Sequence, residues 1–155
     1  MPVEVTGQGQ LYRALDSVVA RSGDLRHSGK AIAARVHGLN REQLDSGGAR
    51  SGGYEDLSEA YAKQKARTHP GKGIERRDDA LYESLTTPDA TGSIYEIEKD
   101  HVSVGSSLAH AARQHYGDDS TPARPSIVIQ EPQREELFRI YCDDLTEYAR
   151  GLGLN

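Results

Sequence analysis

The feature that most constrains this chain is a change of hydrophobic period along its length. Leu11, Leu15, Val18 and Val19 recur at helical spacing, and Leu25, Ile32, Val36 and Leu39 continue it to about Leu44. Farther on, Val102 and Val104 alternate as in a strand, and Leu137, Ile140, Tyr141, Leu145 and Tyr148 return to helical spacing. Helices, then a small sheet, then a helix predict an α+β fold. Its expected parts are an N-terminal helical hairpin, a small, mostly antiparallel sheet with helices packed on one face, and a long C-terminal amphipathic helix.

The punctuation between these runs sets the expected boundaries. A first helix runs from about Gly7 to Arg21; Gly23 stops it and Asp24 caps the next. Residues 46–53 form a flexible Gly-rich loop, too poor in apolar area to pack. A short helix is expected over Leu57–Arg67 with Asp56 as cap, then a break at Thr68–Gly73 and another short helix over Asp78–Leu85. Ser93–Glu98 and Val102–Val104, with Lys99 and Asp100 between them, predict a hairpin. Leu108–Tyr116 reads as a helix stopped by Gly117, Ser126–Ile129 as a further strand, and Pro132 as the start of the last helix. The whole, 1–155, is expected to be one domain: a hairpin over 1–45, the loop, and an α+β core over 54–155.

Composition narrows the function. Apolar residues make up 35% of the chain, so one thin core is expected. With no Trp and one Phe, the eight tyrosines carry the aromatic packing, and their polar tips suit core edges and interfaces. A net charge of −5 argues against a whole-surface nucleic-acid binder. The single cysteine, Cys142, leaves no internal disulfide, and the N-terminal MPVEVTGQGQ carries no signal pattern. No apolar run approaches the ~18 residues of a membrane span.

The residues assemble no recognisable reaction centre. Lys72 between Gly71 and Gly73 lacks the rest of a phosphate-binding loop, Gly105-Ser106-Ser107 closes a strand, and the six histidines form no ligand motif. Adjacent acids such as Asp78–Asp79 and Asp143–Asp144 point about 100° apart on a helix, so they do not converge on one substrate. The expectation is no enzyme activity, no cofactor and no metal. One cluster stands out: Lys63, Lys65, Arg67, Lys72, Arg76 and Arg77 surround the Gly-rich turn, countered locally by Glu75, Asp78 and Asp79. It is either a solvated charged loop or a basic lip facing DNA or an acidic partner.

A set of short pieces carries a resemblance. Leu57-Ser58 leads to Tyr61 and then Lys65; Asp79 precedes Leu81, Ser84 and Leu85; Val102-Ser103-Val104-Gly105 ends a strand. Ala109 to Gly117 includes His115 and Tyr116, and Pro122-Ala123-Arg124-Pro125 follows. In this order and spacing they resemble the phage virion morphogenesis (tail completion) family over about 54–150. That family shows a P-L-S-x-x-Y-x-x-x-K piece, G-x-L-x-x-S-L, V-x-V-G, Y-A-A-x-H-x-x-G and P-A-R-P-F-L. The chain departs from it in three places. Tyr54 is the shifted aromatic, Asp79 stands for the usual glycine, and Ser126-Ile127 stand for Phe-Leu.

The resemblance implies a non-enzymatic virion protein of the tail or neck, assembled in the host cytoplasm, that completes the tail and enables head–tail joining. Its implied partners are copies of itself in a sixfold ring, the tail tube or sheath, and neck or connector proteins. Passing contact with genome DNA in the lumen is included, and a membrane is not. The alternatives are a head–tail adaptor of the neck and, behind it, a DNA-binding accessory protein. Pro122 and Pro125 are expected to stiffen the segment that presents Arg124 to a carboxylate of the same or the next subunit. His115 and Tyr116 end the helix facing it.

Overall fold

The computed structural model describes residues 7–154; the first six residues of the stretch read for a signal pattern lie outside them. Helix α1 spans Gln8–Ser22 and α2 Gly29–Asp45; a 3-10 turn covers Ala49–Ser51; α3 is Glu59–Thr68 and α4 Ala80–Thr86. Strands β1 (Ser93–Ile97) and β2 (Val102–Ser106) precede α5 (Ala111–Tyr116) and α6 (Glu131–Gly151). The fold is α+β, with a two-stranded antiparallel sheet and a long C-terminal helix.

The hairpin forms as its sequence predicts. Ser93 pairs with Ser106 and Ile97 with Val102, and the Glu98 N–H donates to the His101 carbonyl at 2.9 Å across the turn. The Lys99 carbonyl accepts the Leu25 N–H at 2.8 Å, tying the turn to the connection between the first two helices. In that connection the Asp24 carboxylate accepts both the backbone N–H and the guanidinium of Arg26. Asp24 therefore closes a turn, and α2 begins at Gly29. A side chain at Gly29 would collide with Ile97, so this glycine allows α2 to lie close on the sheet.

The core sits where α2, α4 and the hairpin meet. Ala33, Val36, Leu39, Leu44, Leu81 and Leu85 are buried, and Leu44, Leu81 and Leu85 cluster with Tyr82, Leu108, Ala111 and Ile127 around them. The inner face of α2 also carries polar groups: His37 Nδ1 and Asn40 Nδ2 both lie against the Leu85 carbonyl, at 2.8 and 3.0 Å. By contrast α1 and α6 bury no residue completely. They join through polar contacts, Arg21 to Asp144 at 2.7 Å and the Tyr141 hydroxyl to the Ser22 carbonyl at 2.7 Å, while Arg35 of α2 reaches Glu136 at 2.7 Å. Among the described residues no helix is long and apolar enough to cross a membrane.

Several expected boundaries move, each for a visible reason. Ser126–Ile129 joins no sheet. The Pro125 carbonyl is taken by Gln43 and Tyr54 and the Val128 carbonyl by Arg50, so side chains hold the groups a partner strand would use. Helix α3 begins at Glu59 after Ser58, not after Asp56. Helix α4 begins at Ala80 because Asp79 adopts φ 63°, which no helix interior accommodates. Helix α5 starts at Ala111, after a turn in which the Ala111 N–H donates to the Leu108 carbonyl. The segment read as an unpacked loop, 46–53, is instead held by polar bonds: Arg50 donates to the Leu39 carbonyl and pairs with Glu42, and Ser51 bonds to Gln43.

Core and periphery should respond differently to truncation. Leu85→Ala should lower the unfolding free energy by roughly 2–5 kcal/mol in urea titrations. Val19→Ala, at a site 69% exposed, should change it by about 0.5 kcal/mol or less.

Candidate functional site

The segment Pro122–Pro125 is held by contacts to several elements. Its two prolines fix φ on either side of Ala123 and Arg124. The Arg124 N–H donates to the Gln114 carbonyl at 2.8 Å, which docks the segment on α5. Its side chain turns inward and is 10% exposed. Nε and Nη2 donate to the Glu55 carbonyl at 3.3 and 3.1 Å, and Nε lies 3.8 Å from Glu75 Oε1. Glu75 is thus a same-chain carboxylate facing Arg124. Pro125 offers its carbonyl to Gln43 Nε2 at 2.9 Å and to the Tyr54 hydroxyl at 3.1 Å.

Lys65 is also buried. Its Nζ donates to the Gly73 and Ile74 carbonyls at 2.5 and 2.7 Å, fastening the Gly-rich turn to α3. Burial pushes the Lys65 ammonium below its ordinary pKa. Burial also pushes the Glu75 carboxyl above its ordinary value, against the pull of Arg124 and Lys65. The Tyr54 phenol is raised to about 12, chiefly by burial and then by the charge of Glu75. Three charged side chains thus meet in one buried patch between α3, α5 and the proline segment.

The remaining motif positions divide into core and rim. Leu81, Ser84 and Leu85 are buried, with Ser84 Oγ 2.8 Å from Ser106 Oγ on β2. His115 and Tyr116 meet edge to face at 4.6 Å and line a cleft of about 310 Å³ with Leu81, Leu85 and Ile127. Tyr116 is 77% exposed there, and burial lowers the His115 pKa. Gly117 ends α5 at φ 73°, ψ 178°, and a Cβ would stand 2.7 Å from the Ala123 nitrogen and 2.8 Å from the Thr121 oxygen. Tyr61 lines a second cleft with Glu75 and Arg124.

The basic lip is mostly answered by its own neighbours. Lys63 pairs with Glu59 at 2.6 Å. Lys72 and Arg76 both pair with Asp79, which lowers its pKa, and Arg76 stacks over the Tyr82 ring at 4.0 Å. Among the described residues Arg77 has no ion pair and lines a small cleft with Asp78 and Tyr61. The described residues include no group of three or more His, Cys, Asp or Glu placed to hold a metal ion.

Sequence patterns gave no site role to Glu75, Gln114 and Gln43, and marked Tyr54 only as a shifted aromatic. Only Gln43 left a trace: it stands seven residues after Val36, where the apolar stripe of α2 calls for a hydrophobic side chain. No family model, curated protein or solved structure matches the chain.

Two tests follow from the geometry. Gly117 occupies a backbone region essentially confined to glycine, so Gly117→Ala should cost roughly 2–4 kcal/mol in urea unfolding. Glu75 has its folded pKa raised above the ordinary 4.5. The native state therefore binds its proton more tightly than the unfolded chain does. Its contribution to stability grows as pH falls through the raised value and levels off below 4.5. The stability of Glu75→Gln relative to wild type should accordingly be greatest near neutral pH and shrink toward pH 4.5; a pH-independent difference in paired thermal melts would contradict this.

Proposed function

We propose that this chain is a non-enzymatic structural subunit of a phage virion, acting in the tail or neck as a member of an oligomeric ring that completes the tail and enables head–tail joining. The observation that carries the reading is spatial. Pieces that resemble the tail completion family in sequence, around Lys65, Leu81–Leu85, His115–Gly117 and Pro122–Pro125, lie near one another in the fold. The position that the resemblance gives to glycine is Asp79, and among the described residues it is the non-glycine residue at positive φ. A backbone that suits glycine at that place supports the alignment of the motif.

The surface supports a subunit role. Leu11, Tyr12, Leu15 and Val19 on α1 and Phe138 on α6 are exposed, and a thin core beside exposed apolar helices suits a protein that completes its burial against neighbours. The DNA-binding alternative is less well supported, because Lys63, Lys72 and Arg76 are paired with acids within the chain and Lys65 is buried against two carbonyls.

Electron microscopy of lysates from a parent phage lacking this gene tests the reading. Filled heads unjoined to tails, beside free or abnormally long tails, are expected. Normal infectious particles would exclude a role in tail completion or joining.

A further inference from the structure

The buried charged patch is incomplete. Glu75 is 7% exposed, yet its Oε2 has no hydrogen-bond partner, and neither has the buried Oε1 of Gln114. The 3.8 Å separation of Glu75 Oε1 from Arg124 Nε is an ion pair but too long for a hydrogen bond. Leaving a buried carboxylate without a donor is costly. Both oxygens belong to residues lining one cleft of about 660 Å³, many times the ~30 Å³ share of a single water.

The two orphaned atoms are acceptors, so the missing group is a donor. The walls indicate its shape and charge. Leu57, Ile74 and Pro122 are apolar and suit an alkyl stem, Tyr61 offers a ring face, and Glu55 and Asp56 are acids in the same lining. Of the nearby cations, Arg113 is engaged by Asp118 at 2.5 Å, Lys65 by two carbonyls and Arg124 by the Glu55 carbonyl, while Arg77 lines an adjoining cleft with Glu75 and Gln114 but bonds to neither orphaned oxygen. A metal ion does not fit, since no group of three or more carboxylate, imidazole or thiolate side chains is assembled among the described residues.

We propose that this cleft is a binding site for a nitrogen cation on an apolar stem, a guanidinium or alkylammonium, whose N–H groups donate to Glu75 Oε2 and Gln114 Oε1. The carboxylate then lies between Arg124 and the guest and remains ionised, offsetting the effect of its burial. The inference needs only the cleft and stands apart from the virion reading. The guest is either an arginine or lysine side chain of another protein or a free polyamine; the chemistry of recognition is shared.

Titration of the full chain with N-acetyl-argininamide and, separately, with spermidine, followed by amide NMR, tests the site. Saturable shifts at the Gln114 side-chain amide and at Glu75 are expected, with a Kd on the order of millimolar for so small a probe. The neutral isostere N-acetyl-citrullinamide should bind roughly tenfold more weakly, and Glu75→Gln should weaken the argininamide by a similar factor. Gln114→Met removes one acceptor and keeps the backbone carbonyl that receives Arg124, and should also weaken binding. Tighter binding of argininamide points to a protein side chain, and tighter binding of spermidine to a free polyamine. Absence of saturable shifts with both probes on the wild-type chain would overturn the proposal, as would equal binding by citrullinamide.

Discussion

The arrangement of this protein depends on one buried amide. Gln43 is fully enclosed in α2, yet all its polar atoms are used: Nε2 donates to Ser51 Oγ at 3.0 Å and to the Pro125 carbonyl at 2.9 Å, and Oε1 accepts the Arg50 N–H at 3.0 Å. Two segments far from each other in sequence are thereby held against one helix. A hydrogen bond contributes only about 0.5–1.5 kcal/mol net, but a buried group left unpaired costs about 1–3 kcal/mol. The consequence is selectivity: other placements of the Gly-rich segment or of the proline segment leave a buried amide unsatisfied. Where the apolar core is thin, such bonds fix the position of loops that area burial alone does not specify.

This explains which parts of the fold were legible in the sequence. Leu11–Val19, Val36–Leu44 and Leu137–Tyr148 show periodicity over several turns, and α1, α2 and α6 follow within a few residues. The hairpin is legible because Val102 and Val104 alternate and two polar residues separate the strands. Ser126–Ile129 misleads because its apolar run suits a strand, while its Val128 carbonyl is claimed by Arg50 and the preceding Pro125 carbonyl by Gln43 and Tyr54, which lie 71 to 82 residues away. Local pattern carries no information about such partners. The charged patch is hidden for the same reason. Lys65 and Arg124 belong to quoted motifs, but Glu75 sits in a glycine-rich, charged stretch where nothing marks it as buried.

The buried charges have a structural use that accounts for part of the motif. Lys65 fastens the Gly73–Ile74 backbone and Arg124 fastens Glu55, so each cation organises a loop through carbonyl oxygens. Long cationic side chains do this well because their several donors satisfy carbonyls that no secondary structure pairs. Glu75 supplies the countercharge for both without bonding to either. The patch therefore combines satisfied donors with unsatisfied acceptors, an imbalance that sets it apart from a closed structural ion pair.

Asp79 links the departure from the motif to the state of the lip. A non-glycine residue in the left-handed region costs about 1–2 kcal/mol, although aspartate tolerates it better than most. Here the carboxylate gained at that place is the one on which Lys72 and Arg76 converge. Glycine would free the backbone of strain and leave both cations without that partner. The same residue therefore sets the start of α4, closes the turn after the Gly-rich segment, and neutralises much of the positive charge that the sequence counts there. Charge counted along a sequence measures what a segment carries; the backbone conformation at one residue decides how much of it faces outward.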